Sequence, residues 1–540
     1  MKLLSSLKNI FFFTPPIEEE EFILKKDEIK ALYDVRDEKS GGVRFVSKNY
    51  DENLAYIKSA FSVPKNNDVV IKTFKIFKNT RAFLVFYDGM VDSILTDTAI
   101  IRPLLEIPQF SQNVAKDEIS EKLIVHSQVA QENVFEKITD DINFGNCGLF
   151  VDGIDTAFSI DVRSWEHRNI DKPEAEQSVY GPQEAFAEML RANSALVRKI
   201  LKTEKLICEG VKVGNVSKTR GVIMYISDIA NDSLVDEVKR RINGISVDYI
   251  FSIEEISLLI EEKTFLISNK TLATERPDRV ARALSEGRVA LVLSGSPKAL
   301  IFPTNAFELM HTPSDAYMRF PYANITRIIR LIAIFISLLA PALYLAITLY
   351  HQEVVPTFLI FAISAARENV PFPSIIELIV MDIAFELISE AGIRMPSVIG
   401  STLGIVGGLI LGQAAVSAKI VSPLMIIIIA ITGIGSFATP DYSLGWSLKI
   451  MRIIFIFLAA FLGFFGIAIG IFIYAVFLGA QESFGVPFLS PLPAGGKGSV
   501  GHSLFVNPIW KNEKRPSYLS PKREKQESKI SRKWKSKKRK

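Results

Sequence analysis

Apolar positions follow two periods up to about residue 320 and then lose their polar counterpart. Val69–Ile76 and Ala82–Tyr87 read as strands, closed by a turn at Asp88-Gly89. Val91–Leu105 carries helical spacing. Leu149–Val151 and Phe158–Val162 flank a second turn at Asp152-Gly153. The strongest helical stripe is Phe186, Met189, Leu190, Asn193, Leu196, Val197, Ile200 and Leu201, which predicts a helix over Pro182–Lys202 with Pro182 in its first turn. A strand at Val222–Ile226 follows, then a helix from Asn231 or Asp232 to Gly244. Asp278 is expected to cap a helix ending at Gly287, before a buried strand at Val289–Leu293. This is an α/β soluble region of two small subdomains.

Beyond residue 328 the chain turns apolar. Ile328–Tyr350 is long enough to cross a hydrocarbon core of about 30 Å, at about 1.5 Å per residue. Val398–Ala415, Val421–Phe437 and Ile453–Ala480 are further expected spans. Val354–Ala366 is shorter, and a turn at Pro371-Phe372-Pro373 separates it from the helix Ile375–Ala391. The expected organisation is a flexible arm (1–37), two α/β subdomains (38–139 and 140–320), an α-helical polytopic membrane domain of four to six crossings (321–495) and a basic tail (496–540).

Composition matters only once it is divided along the chain. Apolar residues are 48% and charged residues 23% of the 540, values a soluble protein would show, but the two classes are segregated. The net charge is +4. Lys511–Lys540 holds 14 basic and 3 acidic residues, so the tail carries +11 and the remainder −7. The basic balance therefore belongs to a tail suited to anionic lipid, with Trp534 at the interface, or to solvent on the positive-inside face; it does not mark a nucleic-acid partner. Arginines at 319, 327 and 330, at the start of the first span, agree with it. Both the soluble region and the tail are expected on the cytoplasmic side, with an even number of crossings.

The chemistry-bearing residues lie in the apolar half. Asp382, Glu386 and Glu390 fall on one side of the helix 375–391, within about 80° of one another, and Glu377 lies opposite. An acid facing lipid costs about 2.5–3.5 kcal/mol at mid-membrane, so this stripe needs water, a partner or a cation. Three readings stay open: a helix lying in the interface, a helix lining a water-filled path shared by several copies, and intrasubunit ion pairs with Arg367 or Arg394. Glu368 and Glu377 stand as candidate residues near a mouth of such a path. Pro371 and Pro373 are candidate hinge positions. Gly400, Gly404, Gly408 and Gly412 repeat every four residues and form a candidate helix-packing seam. Lys449 and Arg452 fit none of the span assignments well.

No enzyme chemistry is expected. The five histidines are scattered, no metal-ligand spacing occurs, and Gly210–Thr219 lacks the glycine before Lys218 that a phosphate loop needs. Cys147 and Cys208 have no CxxC partner and read as reduced, structural thiols. Catalytic, cofactor and metal sites are all expected to be absent.

Several segments in order carry a resemblance. They are Tyr180-Gly181-Pro182-Gln183-Glu184-Ala185-Phe186 with Glu188, Asn193 and Arg198; Glu275-Arg276-Pro277-Asp278; Glu286-Gly287-Arg288-Val289-Ala290; Arg367-Glu368-Asn369-Val370-Pro371-Phe372-Pro373-Ser374; Glu390-Ala391-Gly392-Ile393-Arg394-Met395-Pro396; and Gly412-Gln413-Ala414-Ala415-Val416. From about 45 to 495 the chain resembles the A subunit of the GerA-type spore germinant receptors (the GerA/SpoVAF-like family); the tail after about 500 is not family-defining. The resemblance implies a subunit in the inner membrane of the dormant spore. It implies a transporter-like B subunit that senses the nutrient, a C-subunit lipoprotein, self-association into a ring, and a cation-conducting path that starts germination. Secondary transport, a membrane scaffold, and a paralogous role beside the dipicolinate channel are the alternatives. The soluble motifs are expected to be turn and cap chemistry more than ligand contacts.

Overall fold

The computed structural model describes residues 22–24, 44–76, 80–106, 128–164, 172–261, 270–394, 408, 410–492 and 504–526. The soluble region is one topology used twice. In the first subdomain, α1 (Tyr50–Ala60) precedes β1 (Val69–Ile76), β2 (Thr80–Tyr87), β3 (Val129–Glu132), α2 (Phe135–Phe144), β4 (Cys147–Val151) and β5 (Ala157–Ile160). These strands form an antiparallel sheet in the order β1-β2-β4-β5-β3. In the second, α3 (Leu190–Ile200) precedes β6 (Leu206–Val213), β7 (Thr219–Ile226), α4 (Asp232–Asn243), α5 (Ile253–Ile260), β8 (Leu272–Thr274), α6 (Pro277–Glu286), β9 (Val289–Leu293) and β10 (Ala299–Phe302). Their order is β6-β7-β9-β10-β8, the first order advanced by five. The correspondence extends to the turns. Gly145 and Gly287 end α2 and α6 at φ 109° and 102°, and Gly153 and Gly295 follow the two central strands at φ 86° and 85°. Each position is left-handed, where a Cβ would be strained.

Alternation along the strands divides the packing. In the first sheet Phe83, Val85 and Phe150 pack with α1 and α2, while Ala82, Leu84 and Leu149 meet the helical run that ends at Leu105. In the second sheet Ile223, Leu291 and Leu300 pack under α4 and α5. Its other face, with Met224, Ala290, Val292 and Ile301, joins a core that continues without a break into the apolar helices. The second subdomain is thus rooted in the helical domain through one of its own faces.

Three expectations change here. The division at 139/140 cuts through α2, and the first sheet runs on to Ile160; the strand order, not the charge pattern, fixes that unit. The helix expected over Pro182–Lys202 begins only at Leu190. The Asn193 amide accepts the Ala187 N–H at 2.8 Å and donates to its carbonyl, and the Phe186 N–H donates to the Glu275 carbonyl at 2.8 Å, so 182–189 is held out of the helix. Asp278 does not cap α6. Arg276 is the N-cap residue, and Asp278 receives its guanidinium.

The helical domain opens with α7 (Phe320–Tyr350), eight residues earlier than expected, because Arg327 and Arg330 are neutralised on its inner face by Asp315. Then come α8 (Thr357–Arg367), α9 (Ser374–Arg394), a short helix at 410–417, α10 (Pro423–Phe437) and α11 (Tyr442–Gly479). Among the described residues two helices, α7 and α11, are long and apolar enough to cross a membrane. Most of the span expected at Val398–Ala415 lies outside the described residues. The span expected at Ile453–Ala480 starts earlier and is broken. Gly463 leaves the helix at φ 61°, ψ −140°, and beyond it α11 doubles back. A Cβ on Gly470 would sit 2.7 Å from the Phe455 ring, although fifteen residues of straight helix span about 22 Å. Gly466 rests on the Leu458 carbonyl. Tyr350 and His351, at the far end of α7, pack on Gly463, and the Tyr350 hydroxyl donates to the Ala460 carbonyl at 2.7 Å.

The chain ends are also more engaged than expected. Phe22–Leu24 of the supposed flexible arm lies against Gly485. Residues 504–526 of the tail dock on the second subdomain. The Asn324 side chain exchanges hydrogen bonds with Val506, Arg515 donates to the Ser285 carbonyl at 2.7 Å, and the Tyr518 hydroxyl accepts from Arg288 and Asn305 at 3.0 and 3.1 Å.

Candidate functional site

The acidic residues of α9 are faced by bases from other helices. Asp382 pairs with Arg452 at 3.0 Å, and Glu386 pairs with Lys449 at 2.5 Å. The acids are four apart on α9 and the bases three apart on α11, in reversed order. The two helices therefore run antiparallel with two charged rungs between them. Lys449 and Arg452, which suited none of the span assignments, are the counter-ions. On the opposite side of α9, Glu377 is 1% exposed; it accepts the Ser422 N–H at 3.0 Å, with Arg367 at 3.6 Å. The intrasubunit reading had offered Arg367 and Arg394 to the stripe; Arg367 instead faces Glu377, the stripe acids Asp382 and Glu386 take Arg452 and Lys449, and the side chain of Arg394 lies outside the described residues.

The two prolines set the Glu377 contact. Pro371 and Pro373 end the break after α8, and the Pro373 carbonyl accepts the Ile376 and Glu377 N–H groups at 2.9 and 3.1 Å. That turn lets Arg367, the last residue of α8, reach Glu377 on the first turn of α9. Glu368 is exposed and lines a cavity of about 260 Å³ with Thr348, Gln352 and Arg367. Glu390 is half-buried near the end of α9. An uncompensated acid or base here costs several kcal/mol, so each pair forms one electrostatic unit.

Of the proposed glycine seam, Gly400 and Gly404 lie outside the described residues. Gly408 is exposed, with no described residue within 4 Å of where a Cβ would stand, and a Cβ on Gly412 would meet Ile426 at 3.6 Å. The close approaches are elsewhere. Gly433 lies under the Phe385 ring, and a Cβ on Gly435 would stand 2.7 Å from the Ala333 carbonyl. The four-residue repeat gave no hint of these, since they are set by the partner helix and not by spacing within α10.

A second set of charges joins the soluble region to α7. Arg276 is fully buried. It pairs with Asp278 through two hydrogen bonds of 3.0 Å and donates to the Pro182 carbonyl at 2.7 Å. Tyr317 donates to the same carboxylate, and Gly181 lies on the Tyr317 ring, 2.6 Å from where a Cβ would stand. Arg288 pairs with Glu308, and Arg279 with Glu176. Asp315 takes both Arg327 at 3.0 Å and Arg330 at 3.1 Å. Burial alone would raise the Asp315 carboxyl, but hydrogen bonds from Arg330 and Thr312 and the Arg327 charge outweigh it and hold the group below the ordinary range. Burial, with Arg327 close by, lowers His311 to about 3, so it stays neutral. These residues include the segments Gly181-Pro182 and Glu275–Asp278. They make the seam between subdomain and helix, around a cavity of about 790 Å³ roofed by the tail.

Between the two subdomains Arg198 does similar work. It is buried, pairs with Asp68, donates to Asn66 at 3.1 Å and covers the Tyr87 ring at 4.0 Å. Cys147 and Cys208 are buried and unbridged, and burial raises both thiols.

The family model described as Bacillus/Clostridium GerA spore germination protein matches residues 55–518. That match takes in the docked tail through Tyr518, beyond the limit near 500 expected from motifs alone. Spore germination protein KA of Bacillus subtilis (strain 168) is 39% identical over 477 residues, 88% of this chain and 87% of its own. Spore germination protein A1 of the same organism is 34% identical, covering 82% and 90%. The uncharacterized membrane protein YfkQ, also from Bacillus subtilis, is 35% identical, covering 91% and 95%. The crystal structure of the N-terminal domain of the A subunit of the Bacillus megaterium spore germinant receptor GerK3 aligns with 48% of this chain and 97% of its own, at 29% identity and a TM-score of 0.34. By the extent of the family match and the identity and coverage of these relatives, the chain belongs to the GerA family of spore germination proteins.

Proposed function

We propose that this chain is the A-type subunit of a nutrient germinant receptor in the inner membrane of the bacterial spore. It crosses the membrane four to six times, with the soluble region and tail on the core side. It acts with a transporter-like B subunit and a C-subunit lipoprotein, associates with its own copies in a ring, and supplies the path for cations, with no catalytic step. The docking of residues 504–526 on the second subdomain supports one side for both ends.

The observation that carries the conduction reading is the ladder between α9 and α11. Asp382 and Glu386 hold tethered cations, Arg452 and Lys449, in place of mobile ones. A partner state that binds more tightly to a form with α11 withdrawn frees these acids to attract monovalent cations. Glu368, exposed beside its cavity, stands at a mouth, and the Pro371–Pro373 break is the hinge. A second reading, a membrane scaffold, draws on the same pairing, since acids satisfied within one chain need no pore.

The doubly neutral variant Asp382→Asn with Arg452→Gln separates the two. It keeps packing and removes the charge pair. Nutrient-triggered potassium release from spores falls several-fold if the ladder conducts or gates. Unchanged release with normal receptor abundance overturns conduction through this helix and leaves the scaffold.

A further inference from the structure

Three separate stretches bring exposed apolar side chains to the first turn of α7. The loop before Gly181 presents Val179, 82% exposed, and Tyr180, 56% exposed. Gly181 itself lies on the Tyr317 ring, which fixes this loop beside the start of the helix. The helix contributes Phe320 and Tyr322, the latter 65% exposed. The tail contributes Ile509, 69% exposed, and Trp510, whose ring meets Phe320 edge-on at 6.4 Å. The reciprocal Asn324–Val506 hydrogen bonds hold the tail there.

This set sits directly below the apolar outer surface of α7, which runs through Ile325, Ile329 and Phe335. Aromatic side chains with polar tips gather at the boundary between hydrocarbon and water. Two carboxylates beside it are already engaged, Asp278 by Arg276 and Tyr317, and Asp315 by two arginines of α7. Arg327 and Arg330 are consumed by Asp315, but Arg319, at the helix N-cap, and Arg282, whose guanidinium stands 5.8 Å from the Tyr317 ring centre, form no ion pair among the described residues.

We infer that Val179, Tyr180, Tyr322, Ile509 and Trp510 form a collar that seats the second subdomain on anionic phospholipid headgroups, with Arg282 and Arg319 as the headgroup contacts. The collar is continuous with the lipid-facing side of α7, and its unpaired positive charge suits phosphate in the headgroup layer. Burial of such a surface fixes the height and tilt of the subdomain against the bilayer. The inference rests on the membrane reading above.

The test uses the full chain in nanodiscs of phosphatidylglycerol. Cys147 and Cys208 are buried, so one introduced cysteine carries the fluorophore. Labels are placed at Tyr180→Cys, Ile509→Cys, Phe335→Cys and, in the first subdomain, Ile94→Cys. A nitroxide carried on the lipid headgroup quenches most of the emission at 180 and 509 and little at 94. A nitroxide deep in the acyl chains quenches the label at 335. Replacing phosphatidylglycerol by phosphatidylcholine, or Arg282 and Arg319 by Gln, lowers the quenching at 180 several-fold. If 335 is quenched and 180 is not, the collar is wrong and the membrane reading stands. If 335 is not quenched either, the membrane reading itself fails. A label at 180 that lipid nitroxides miss but that is shielded from a water-soluble quencher assigns the collar to a protein neighbour and overturns the proposal, as does equal quenching at 94.

Discussion

Asp382 and Arg452 stand 3.0 Å apart across α9 and α11, both buried among apolar side chains. Losing one partner leaves the other charge without compensation. Asp382→Asn or Arg452→Gln alone is expected to cost about 3–5 kcal/mol, and the double variant much less. Thermal unfolding of the purified chain in detergent measures this. Equal losses in the singles and the double would dissolve the pair as a unit.

Gly463 makes α11 a hairpin, and its φ of 61° with ψ of −140° belongs to a region that side chains rarely adopt. Gly463→Ala is expected to cost about 1–3 kcal/mol and to loosen the contact with Tyr350. Thermal unfolding of the purified chain in detergent reads it: a lower midpoint in the variant, whereas an unchanged midpoint would remove the bend as a position that requires glycine.

The Asp315 cluster predicts acid sensitivity with two separable causes. Asp315 has a lowered folded pKa, so its stabilisation is present above the ordinary carboxylate value and is lost as pH falls through the lowered one. His311 is also lowered, from 6.5 to about 3. The unfolded chain protonates it below about 6.5 while the folded chain does not, so stability falls by one proton's slope between those limits. His311→Asn is expected to flatten the profile between pH 6.5 and 3, and Asp315→Asn to flatten only its acid end.

The Tyr518 hydroxyl, held by Arg288 and Asn305, attaches the tail to the second subdomain. Tyr518→Phe leaves two buried donors short of an acceptor, at a cost of about 1–3 kcal/mol. Limited proteolysis should cut the variant after residue 504 well before the parent. Cleavage at the same rate would remove the tail from the fold of the subdomain.

The buried thiols give a further check on the soluble region. Cys147 and Cys208 have raised pKa values and no access to solvent, so maleimide should label neither until the subdomains unfold.

How much of this could be read from residues alone follows from the range of each interaction. Strands β1, β2, β7 and β9 were legible because their apolar runs end at local turn signals. The duplicated sheet was not, since strand order is set by pairing between residues far apart. The helix expected from Pro182 failed at its first two turns for a similar reason: Arg276 and Glu275, far along the chain, take the Pro182 carbonyl and the Phe186 N–H. In the helical domain the acids were visible and their cost forced a partner, but Lys449 and Arg452 lie more than sixty residues on. Their awkward place in an apolar run was the one available clue. Gly463 gave none, because glycine is frequent in such helices and only its backbone angles distinguish it.

The docking of Tyr518 and Arg515 on the second subdomain bears on how the protein is made. The second subdomain, built from residues 190–302, receives these side chains only after the apolar helices that lie between them in the chain have been made. A nascent chain stalled in the helices would leave Arg288, Asn305 and the Ser285 carbonyl without these partners.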